Sequence, residues 1–286
     1  MINLHGTGVA LVTPFLPDGT VDTAGLANIT KHVMQGVDYI VALGTTGESA
    51  TLTTKEKDLV LDTVRKEMAG TKPLVLGHGG NDTAKLISQM KDMDFTGVDA
   101  VLSVSPYYNK PSQAGIVAHY RAFADACPVP VILYNVPGRT GSNISVATTL
   151  ELARHPNIIG TKEASGNVEQ CMAIAKGKPD DFRLISGDDL LTPSLIAIGA
   201  EGVISVLANA WPIEFNQMVK LSMETKYTEA SVFWKKWLDL NPMLYEEGNP
   251  VGIKAVMKEL GLCGDTVRLP LLPASAGLAE RIRKAI

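Results

Sequence analysis

Residues 130–162, PVILYNVPGRTGSNISVATTLELARHPNIIGTK, contain one complete strand–helix–strand unit. The apolar run Pro130–Asn135 predicts a buried strand, residues 145–154 have helical periodicity, and Ile158–Lys162 predicts a second buried strand. Two strands joined through a helix run parallel, because a crossover is needed to bring the chain back to the same end of the sheet. The stretch therefore predicts an α/β fold built on a parallel sheet.

The same alternation extends over the rest of residues 1–224. Six further short runs have the composition of buried strands: Gly8–Val12, Tyr39–Leu43, Pro73–Gly77, Ala100–Val104, Phe182–Ser186 and Gly202–Val206. Helical patterns accompany them near residues 23–35, 53–68, 83–94, 112–126, 167–176, 190–198 and 212–222. Eight strand–helix units fit a closed (β/α)₈ TIM barrel better than an open doubly wound sheet, which remains the alternative.

The composition changes after residue 224. Residues 225–286 contain no convincing strand and only helical patterns, near 226–247, 250–260 and 274–286. Gly261 is placed to end the middle one of these helices. We therefore predict a catalytic barrel over residues 1–224 and a C-terminal helical domain over residues 225–286.

Charge and composition exclude several classes of protein. The 286 residues include 26 basic and 30 acidic side chains, a formal net charge of −4, and 45% of them are hydrophobic. This balance argues against a nucleic-acid partner, and no apolar run is long enough to span a membrane. The first 30 residues lack the Lys or Arg of a secretory signal, and the three cysteines form no CxxC pair. We therefore predict a cytoplasmic protein that binds neither nucleic acid nor membrane.

Reactive groups of a barrel belong at the carboxyl ends of its strands and in the loops that follow them. Gly44–Thr45–Thr46–Gly47–Glu48 follows the second predicted strand. Two hydroxyls flanked by glycines allow backbone N–H groups to approach a small anion such as a carboxylate. An ordinary glycine-rich turn explains this segment equally well on its own.

The fifth predicted strand carries a tyrosine near its end. Alternation places Ile132 and Tyr134 on one face, and a hydroxyl at a strand end can transfer protons. Arg139, in the following loop, can hold a carboxylate with its two-pronged guanidinium. Taken alone, Tyr134 is better explained as a core ring and Arg139 as a solvated loop charge.

The sixth predicted strand carries a lysine. Ile158, Gly160, Lys162 and Ala164 are predicted to share one strand face, so an inward face would place the amine of Lys162 among apolar walls. Most lysines are exposed, and a desolvated neutral amine is a nucleophile. The alternative is a strand end that bends outward and exposes the lysine.

Other possible motifs point away from metals and cofactors. Asp188 and Asp189 could be paired acids or metal ligands, but a role in capping the next helix is the better interpretation. The five histidines have no HExxH or HxH spacing, and Gly6–Thr7–Gly8 lacks the third glycine of a dinucleotide loop. We predict no metal and no cofactor.

Five motifs together point to a known family: GTTGES at 44–49, SPYYNKP at 105–111, YNVPGRTG at 134–141, GTKEAS at 160–165 and SGDD at 186–189. Through them, and over essentially its whole length, the chain resembles the dihydrodipicolinate synthase family. That family is part of the pyruvate-dependent class I aldolase superfamily, which includes N-acetylneuraminate lyase. The resemblance implies a lyase that condenses pyruvate with L-aspartate 4-semialdehyde on the diaminopimelate route to lysine, without a cofactor.

The resemblance also implies roles for individual residues. Lys162 would form a Schiff base with pyruvate, whose carboxylate Thr45 and Thr46 would bind, and Arg139 would bind the carboxylate of the second substrate. A proton relay would combine Tyr134 and Thr45 with Tyr108 of a neighbouring subunit.

Gly187 and Ile204 would line the pocket through their backbones. The family implies a homotetramer arranged as a dimer of dimers.

Two alternatives stay open at this point. The first is a lyase of the same superfamily that acts on N-acetylneuraminate or a 2-keto-3-deoxy sugar acid. Arg139 and the Thr45–Thr46 pair favour the synthase, because the lyases generally lack the arginine and have Ser–Thr in place of the pair. The second is a non-catalytic protein that binds small acids, which the complete set of Lys162, Tyr134 and Thr45 argues against.

A regulatory site is also implied by the family, at the interface of a dimer. The residues that correspond to a lysine-binding site are Ser49, Ala50, Asn81, Lys85 and Tyr107. Feedback-sensitive members have a glutamate at the position of Lys85, and histidines in some of them correspond to Thr54 and Lys57. Because a cation at position 85 repels the ammonium of bound lysine, we expect weak or absent feedback.

Overall fold

Eight parallel strands close into a barrel, and their order around the ring follows the chain. The strands are β1 (Gly6–Ala10), β2 (Tyr39–Ala42), β3 (Leu74–Gly77), β4 (Ala100–Val104), β5 (Val131–Asn135), β6 (Ile158–Glu163), β7 (Arg183–Ser186) and β8 (Gly202–Ser205). The computed structural model describes residue 2 and residues 4–286. The closed ring confirms the predicted barrel and rules out the open sheet.

Helices surround the barrel and connect its strands. They are α1 (Thr23–Met34), α2 (Thr54–Met68), α3 (Thr83–Met90), α4 (Gln113–Ala126), α5 (Pro137–Thr140), α6 (Val146–Leu152), α7 (Val168–Gly177), α8 (Thr192–Ala197) and α9 (Pro212–Met223). Side-chain caps define several of their starts, and Thr53 and Glu56 form the complete capping box of α2. Among the residues that the structure describes, no helix is long and apolar enough to cross a bilayer.

The first strand lies two residues earlier than the predicted Gly8–Val12. Its N-terminal residue Gly6 pairs with Gly202 of β8, which closes the ring. The N–H of Leu11 still donates to the carbonyl of Val41, but the N–H of Val12 donates to the side chain of Asn209 and the chain leaves the ladder. A side-chain acceptor that is distant in sequence, and therefore invisible to local periodicity, decides where this strand ends.

The sixth strand contains an irregularity that changes which residues face inward. Val131 pairs with Ile158 but Ile132 pairs with Gly160, so one extra residue is inserted in β6. Ile158 consequently packs in the outer core, between barrel and helices, while Ile159 packs against the cluster inside the barrel. The predicted common face of Ile158 and Lys162 is therefore wrong, although Lys162 itself pairs with the inward Tyr134.

The C-terminal segment consists of α10 (Tyr227–Trp237), α11 (Val251–Glu259) and α12 (Ala276–Ala285). The helical pattern predicted over 226–247 is interrupted, and a short 3₁₀ turn spans Asn241–Leu244. Pro242 contributes to the break, because it has no N–H to donate to the carbonyl of Leu238, as a continuous α-helix would require. Gly261, with a φ of +70°, follows the end of α11 as predicted.

The C-terminal helices share the outer core of the barrel. Trp237, Val256, Leu278 and Ile282 are buried in the same apolar cluster as barrel residues such as Leu133 and Val203. Burial of this kind stabilises the fold by about 25 cal/mol per Å² of apolar surface. The continuous core holds α11 against the barrel, where it reaches the loops at the carboxyl ends of the strands.

Candidate active site

A cavity of about 500 Å³ opens at the carboxyl ends of the strands. Six of the predicted site residues line it: Thr45, Thr46, Tyr134, Arg139, Lys162 and Gly187. They come together because they end or follow four parallel strands, β2, β5, β6 and β7, and all of these strand ends meet at one rim of the barrel. The roles of these residues in catalysis and substrate binding remain predictions.

Lys162 lies at the base of the cavity beside Tyr134. The two residues are paired in register across β5 and β6, and the lysine nitrogen lies 4.6 Å from the centroid of the tyrosine ring. Lys162 is 5% exposed, and in the part of the chain that the structure describes it forms no ion pair. Val41, Leu102 and Val206 supply apolar walls. A buried amine without a carboxylate partner is the arrangement expected of a nucleophile.

Gly187 leaves room for the lysine side chain. A Cβ atom at this position would lie 3.0 Å from the Cε of Lys162 and 2.6 Å from the Cβ of Ala164. Its N–H donates to the carbonyl of Glu163 at 2.8 Å, so the backbone cannot move aside freely. A larger residue here would push Lys162 out of its position.

A buried polar network lies next to Tyr134 and Lys162, at the ends of β5 and β6. Asn135 and Glu163 directly follow Tyr134 and Lys162, and the amide of Asn135 donates to the carboxylate of Glu163 at 2.9 Å. Gln170 and the N–H of Ser165 donate to the same carboxylate at 3.0 and 2.8 Å. With its donors satisfied, the network fixes the ends of β5 and β6 relative to each other. It thereby fixes the distance between the tyrosine and the lysine.

The 44–48 loop presents its two hydroxyls to the cavity. Thr46 is buried, and its Oγ1 accepts a hydrogen bond at 3.0 Å from the amide of Asn249, in the segment before α11. The hydroxyl of Thr13 donates to the carbonyl of Gly47 at 2.8 Å. Because Thr46 is an acceptor toward Asn249, its own proton is free for an anion in the cavity.

Arg139 belongs to α5, a single helical turn, so the predicted loop at this position is wrong. Pro137 stands at the first helical position, where its missing N–H has no cost. The side chain of Arg139 is exposed to the cavity, and within residues 4–286 it has no ion-pair partner. Its guanidinium is therefore free to bind a carboxylate.

Of the eight residues predicted for catalysis and substrate binding, the remaining two do not line this cavity. Ile204 is buried on β8 within the cluster inside the barrel. Tyr108 is 88% exposed, in a left-handed conformation with φ of +73°. Within the described chain no hydrogen bond joins the hydroxyls of Tyr134, Thr45 and Tyr108.

A second cavity, of about 610 Å³, adjoins the first. All five residues predicted for the regulatory site line it: Ser49, Ala50, Asn81, Lys85 and Tyr107. Lys57 lines it too, whereas Thr54 does not. Burial, together with the charge of Lys85, lowers the pKa of Lys57, so the two ammonium groups face one space.

The prediction that Asp188 and Asp189 cap the next helix is half right. Asp188 accepts a hydrogen bond from the N–H of Leu191 at the start of α8. Asp189 is fully buried and instead accepts from the N–H groups of Val206 and Leu207, after β8. Burial raises the pKa of Asp189 to about 6. Asp189 thus shapes the turn after β8 and does not cap α8.

Three residues with clear structural roles near the site were missed from the sequence. They are Glu48, Asn249 and Lys254. Glu48 lies in a motif whose hydroxyls are the candidate binding groups, and Asn249 lies in a Gly–Asn–Pro stretch that is typical of a connection. A lysine inside the apolar run VGIKAVM was the one available signal for Lys254.

Comparisons with known proteins point to one family. The model of the dihydrodipicolinate synthetase family matches residues 3–286. The 4-hydroxy-tetrahydrodipicolinate synthase of Flavobacterium psychrophilum is 51% identical, covering 97% of this chain and 95% of that protein.

Solved structures agree with this match. The chloride-inhibited dihydrodipicolinate synthase of Acinetobacter baumannii, complexed with pyruvate, matches with a TM-score of 0.95 and 38% identity, covering 99% of this chain and 98% of that one. The dihydrodipicolinate synthase of Cyanidioschyzon merolae, solved with lysine bound, matches with a TM-score of 0.94 and 39% identity. The match covers 100% of this chain and 98% of that one.

Proposed function

The chain belongs to the dihydrodipicolinate synthetase family, and on this premise we propose how its residues carry out the synthase reaction. The enzyme forms 4-hydroxy-tetrahydrodipicolinate, a lyase-type step in lysine biosynthesis that proceeds through a Schiff base. Its substrates are pyruvate and L-aspartate 4-semialdehyde. The observation that carries the proposal is the buried Lys162 amine, which shares one cavity with Thr45, Thr46 and Arg139, three residues able to bind carboxylates.

The first half of the reaction activates pyruvate. The neutral amine of Lys162 attacks the keto carbon, water leaves, and the resulting imine loses a methyl proton to become an enamine. Thr46 donates its hydroxyl proton to the pyruvate carboxylate, and Thr45 binds beside it. Tyr134, in contact with the lysine, takes and returns the protons of these steps. The A. baumannii relative, solved with pyruvate, supports this assignment of the first substrate.

The second half joins the two substrates. The enamine carbon attacks the aldehyde carbon of L-aspartate 4-semialdehyde, and the aldehyde oxygen becomes a hydroxyl by taking up a proton. The substrate amine then attacks the imine carbon, closes the ring and releases Lys162 as a free amine. Arg139 holds the carboxylate of the aldehyde substrate through these steps. The same arginine favours a synthase over a sugar-acid lyase.

Substrate choice is tested by replacing Arg139. We expect Arg139→Gln to raise the KM for L-aspartate 4-semialdehyde at least about tenfold, because a charge-assisted hydrogen-bonded pair is lost. Borohydride trapping of pyruvate on the enzyme should be unchanged, since the first half-reaction does not use this residue. Steady-state kinetics coupled to the next reduction step, together with mass spectrometry, measure the two effects.

Arg121→Gln is the matched control for this variant. Arg121 is an exposed arginine paired with Glu151 and does not line the cavity, so both measurements should match the wild type. Cleavage of N-acetylneuraminate by the wild-type enzyme would contradict the synthase assignment. An unchanged KM in Arg139→Gln would contradict the role of the arginine.

Assembly and location belong to the same proposal. We propose a homotetramer, as a dimer of dimers, in which Tyr108 reaches the cavity of a neighbouring subunit. The 88% exposure of Tyr108 and its absence from the cavity of its own chain support this arrangement. We also propose a cytoplasmic location, which agrees with the three unpaired cysteines.

Feedback by lysine is expected to be weak. At millimolar L-lysine we expect less than about twofold inhibition, because Lys57 and Lys85 repel the ammonium group of the inhibitor. Lys85→Glu replaces a repulsive charge with an attractive one and should lower the half-inhibitory concentration at least about tenfold. Lys91→Glu, at the end of the same helix and outside the second cavity, is the control. Strong inhibition of the wild type would contradict this expectation.

A further inference from the structure

Glu48 and Lys254 form an ion pair that is almost completely removed from water. The lysine nitrogen lies 2.5 Å from Oε1 of Glu48. The side chain of Lys254 is 0% exposed and that of Glu48 is 2% exposed. Lys254 also donates to the carbonyl of Thr266 at 2.8 Å, and the N–H of Arg268 donates to Oε2 of Glu48 at 3.0 Å. The amine further lies 4.3 Å from the centroid of the Phe15 ring.

Stability alone does not explain such a pair. Removing two charges from water costs about as much free energy as their attraction returns, and well-packed apolar side chains are often at least as stable. A buried ion pair does constrain geometry, because each charge holds the other in one position. The position held here is that of Glu48, at the end of the 44–48 loop.

Glu48 has a backbone conformation that needs support. Its φ is +51°, in the left-handed region that side chains other than glycine rarely adopt. Its N–H donates to the carbonyl of Thr45, and its carbonyl accepts from the N–H of Thr51. Since Glu48 is hydrogen bonded to Thr45 through the backbone, a shift of its carboxylate moves the loop that carries both threonine hydroxyls.

A second contact joins the same two parts of the chain. The amide of Asn249 donates to Oγ1 of Thr46, and Asn249 lies two residues before α11 begins at Val251. Lys254 lies within the first turn of that helix. The start of α11 and the segment just before it therefore contact the loop at Glu48 and at Thr46, more than 200 residues earlier in the chain.

We propose that the buried Glu48–Lys254 pair positions the Thr45–Thr46 loop, so that the C-terminal helices determine how well the enzyme binds pyruvate. The inference rests on the proposed function, in which these threonines bind the pyruvate carboxylate. Glu48 and Lys254 are positioning residues, because neither lines the catalytic cavity. Arg268 supports the same connection, since it donates through its N–H to Glu48 and through its guanidinium to the carbonyl of Thr51.

The test uses Glu48→Gln, Lys254→Met and the double variant in the full-length enzyme. Each single variant should lower kcat/KM for pyruvate by about ten- to a hundredfold, the effect expected of a small displacement of a binding group. The kcat/KM for L-aspartate 4-semialdehyde should stay within about threefold of the wild type, because Arg139 is not displaced. A merely structural defect would lower both parameters together.

The double variant distinguishes two roles of the ion pair, positioning of the Thr45–Thr46 loop and neutralisation of a buried charge. Lys254→Met alone leaves a buried carboxylate without its partner and is expected to lower the melting temperature strongly. The double variant has no unpaired charge and should recover most of that loss. Its kcat/KM for pyruvate should nevertheless stay as low as in the single variants, and the two effects should not multiply, because both substitutions break one interaction.

Lys178→Met is the matched control. Lys178 donates to Oε1 of Glu201 at 2.9 Å and to the carbonyl of Phe182 at 2.7 Å, one carboxylate and one carbonyl as for Lys254. This pair is less deeply buried, and Glu201 also pairs with Arg183. This pair lies at the opposite end of the barrel, before β7 and β8. Lys178→Met should lower the melting temperature without a selective effect on pyruvate.

Three results would overturn the proposal. One is a double variant with wild-type kcat/KM for pyruvate, which would mean that the pair only balances charge. Another is an equal loss for both substrates, and the third is a folded single variant with unchanged kinetics. Borohydride trapping of pyruvate by the wild type under the same conditions tests the proposed function separately, because that adduct depends on Lys162 whatever the pair does.

Discussion

Replacing Lys162 by alanine is expected to abolish borohydride trapping of pyruvate and to lower kcat at least about a thousandfold. The buried amine beside Tyr134 is the proposed nucleophile, and without it the enamine cannot form on the enzyme. The measurement combines steady-state kinetics with mass spectrometry of the peptide that contains residue 162. In the wild type this peptide should carry one reduced pyruvate adduct.

Two control variants test whether the reaction needs the amine of Lys162 itself or only a positive charge or another lysine in the cavity. Lys162→Arg places a permanent cation in the cavity but supplies no amine that can form a Schiff base, so it should be as inactive as the alanine variant. Lys57→Met removes the other lysine that lines the cavity and should keep the adduct on Lys162. An adduct on Lys57, or activity in Lys162→Arg, would show that the proposed mechanism is wrong.

The second large effect is expected for Tyr134→Phe. The phenylalanine ring keeps the packing against Lys162, but the hydroxyl that transfers protons is lost, so kcat should fall by about a hundred- to a thousandfold. Imine formation should become slow rather than impossible, because water can replace the hydroxyl inefficiently. Trapping after long incubation should therefore approach the wild-type level, and a time course of trapping measures the difference.

Tyr39→Phe provides the comparison for this variant. Tyr39 is also buried, and its hydroxyl donates to the carbonyl of Val203 at 3.1 Å, outside the cavity. Loss of this hydrogen bond should lower the free energy of unfolding by about 1 kcal/mol and leave kcat unchanged. If Tyr134→Phe behaves in the same way, its hydroxyl takes no part in proton transfer.

Much of the site could be predicted because its residues follow regular strands. Tyr134 and Lys162 were placed near the ends of neighbouring parallel strands from local patterns, and those ends necessarily meet at one rim of the barrel. The inserted residue in β6 could not be predicted, since Ile158 and Ile159 are both apolar and either could face inward. The helix that carries Arg139 is four residues long, too short to show helical periodicity.

The sequence by itself determined the alternation of strands and helices, and with it the barrel, the rim on which the reactive groups lie, and the motifs that indicate their chemistry. Those properties depend on neighbours within a few residues, so they leave a local pattern. Only the tertiary structure decided what supports the rim. Asn249 and Lys254 reach Thr46 and Glu48 across more than 200 residues. Contacts of this kind arise from the packing of α11 against the barrel and leave no periodic signal in either segment.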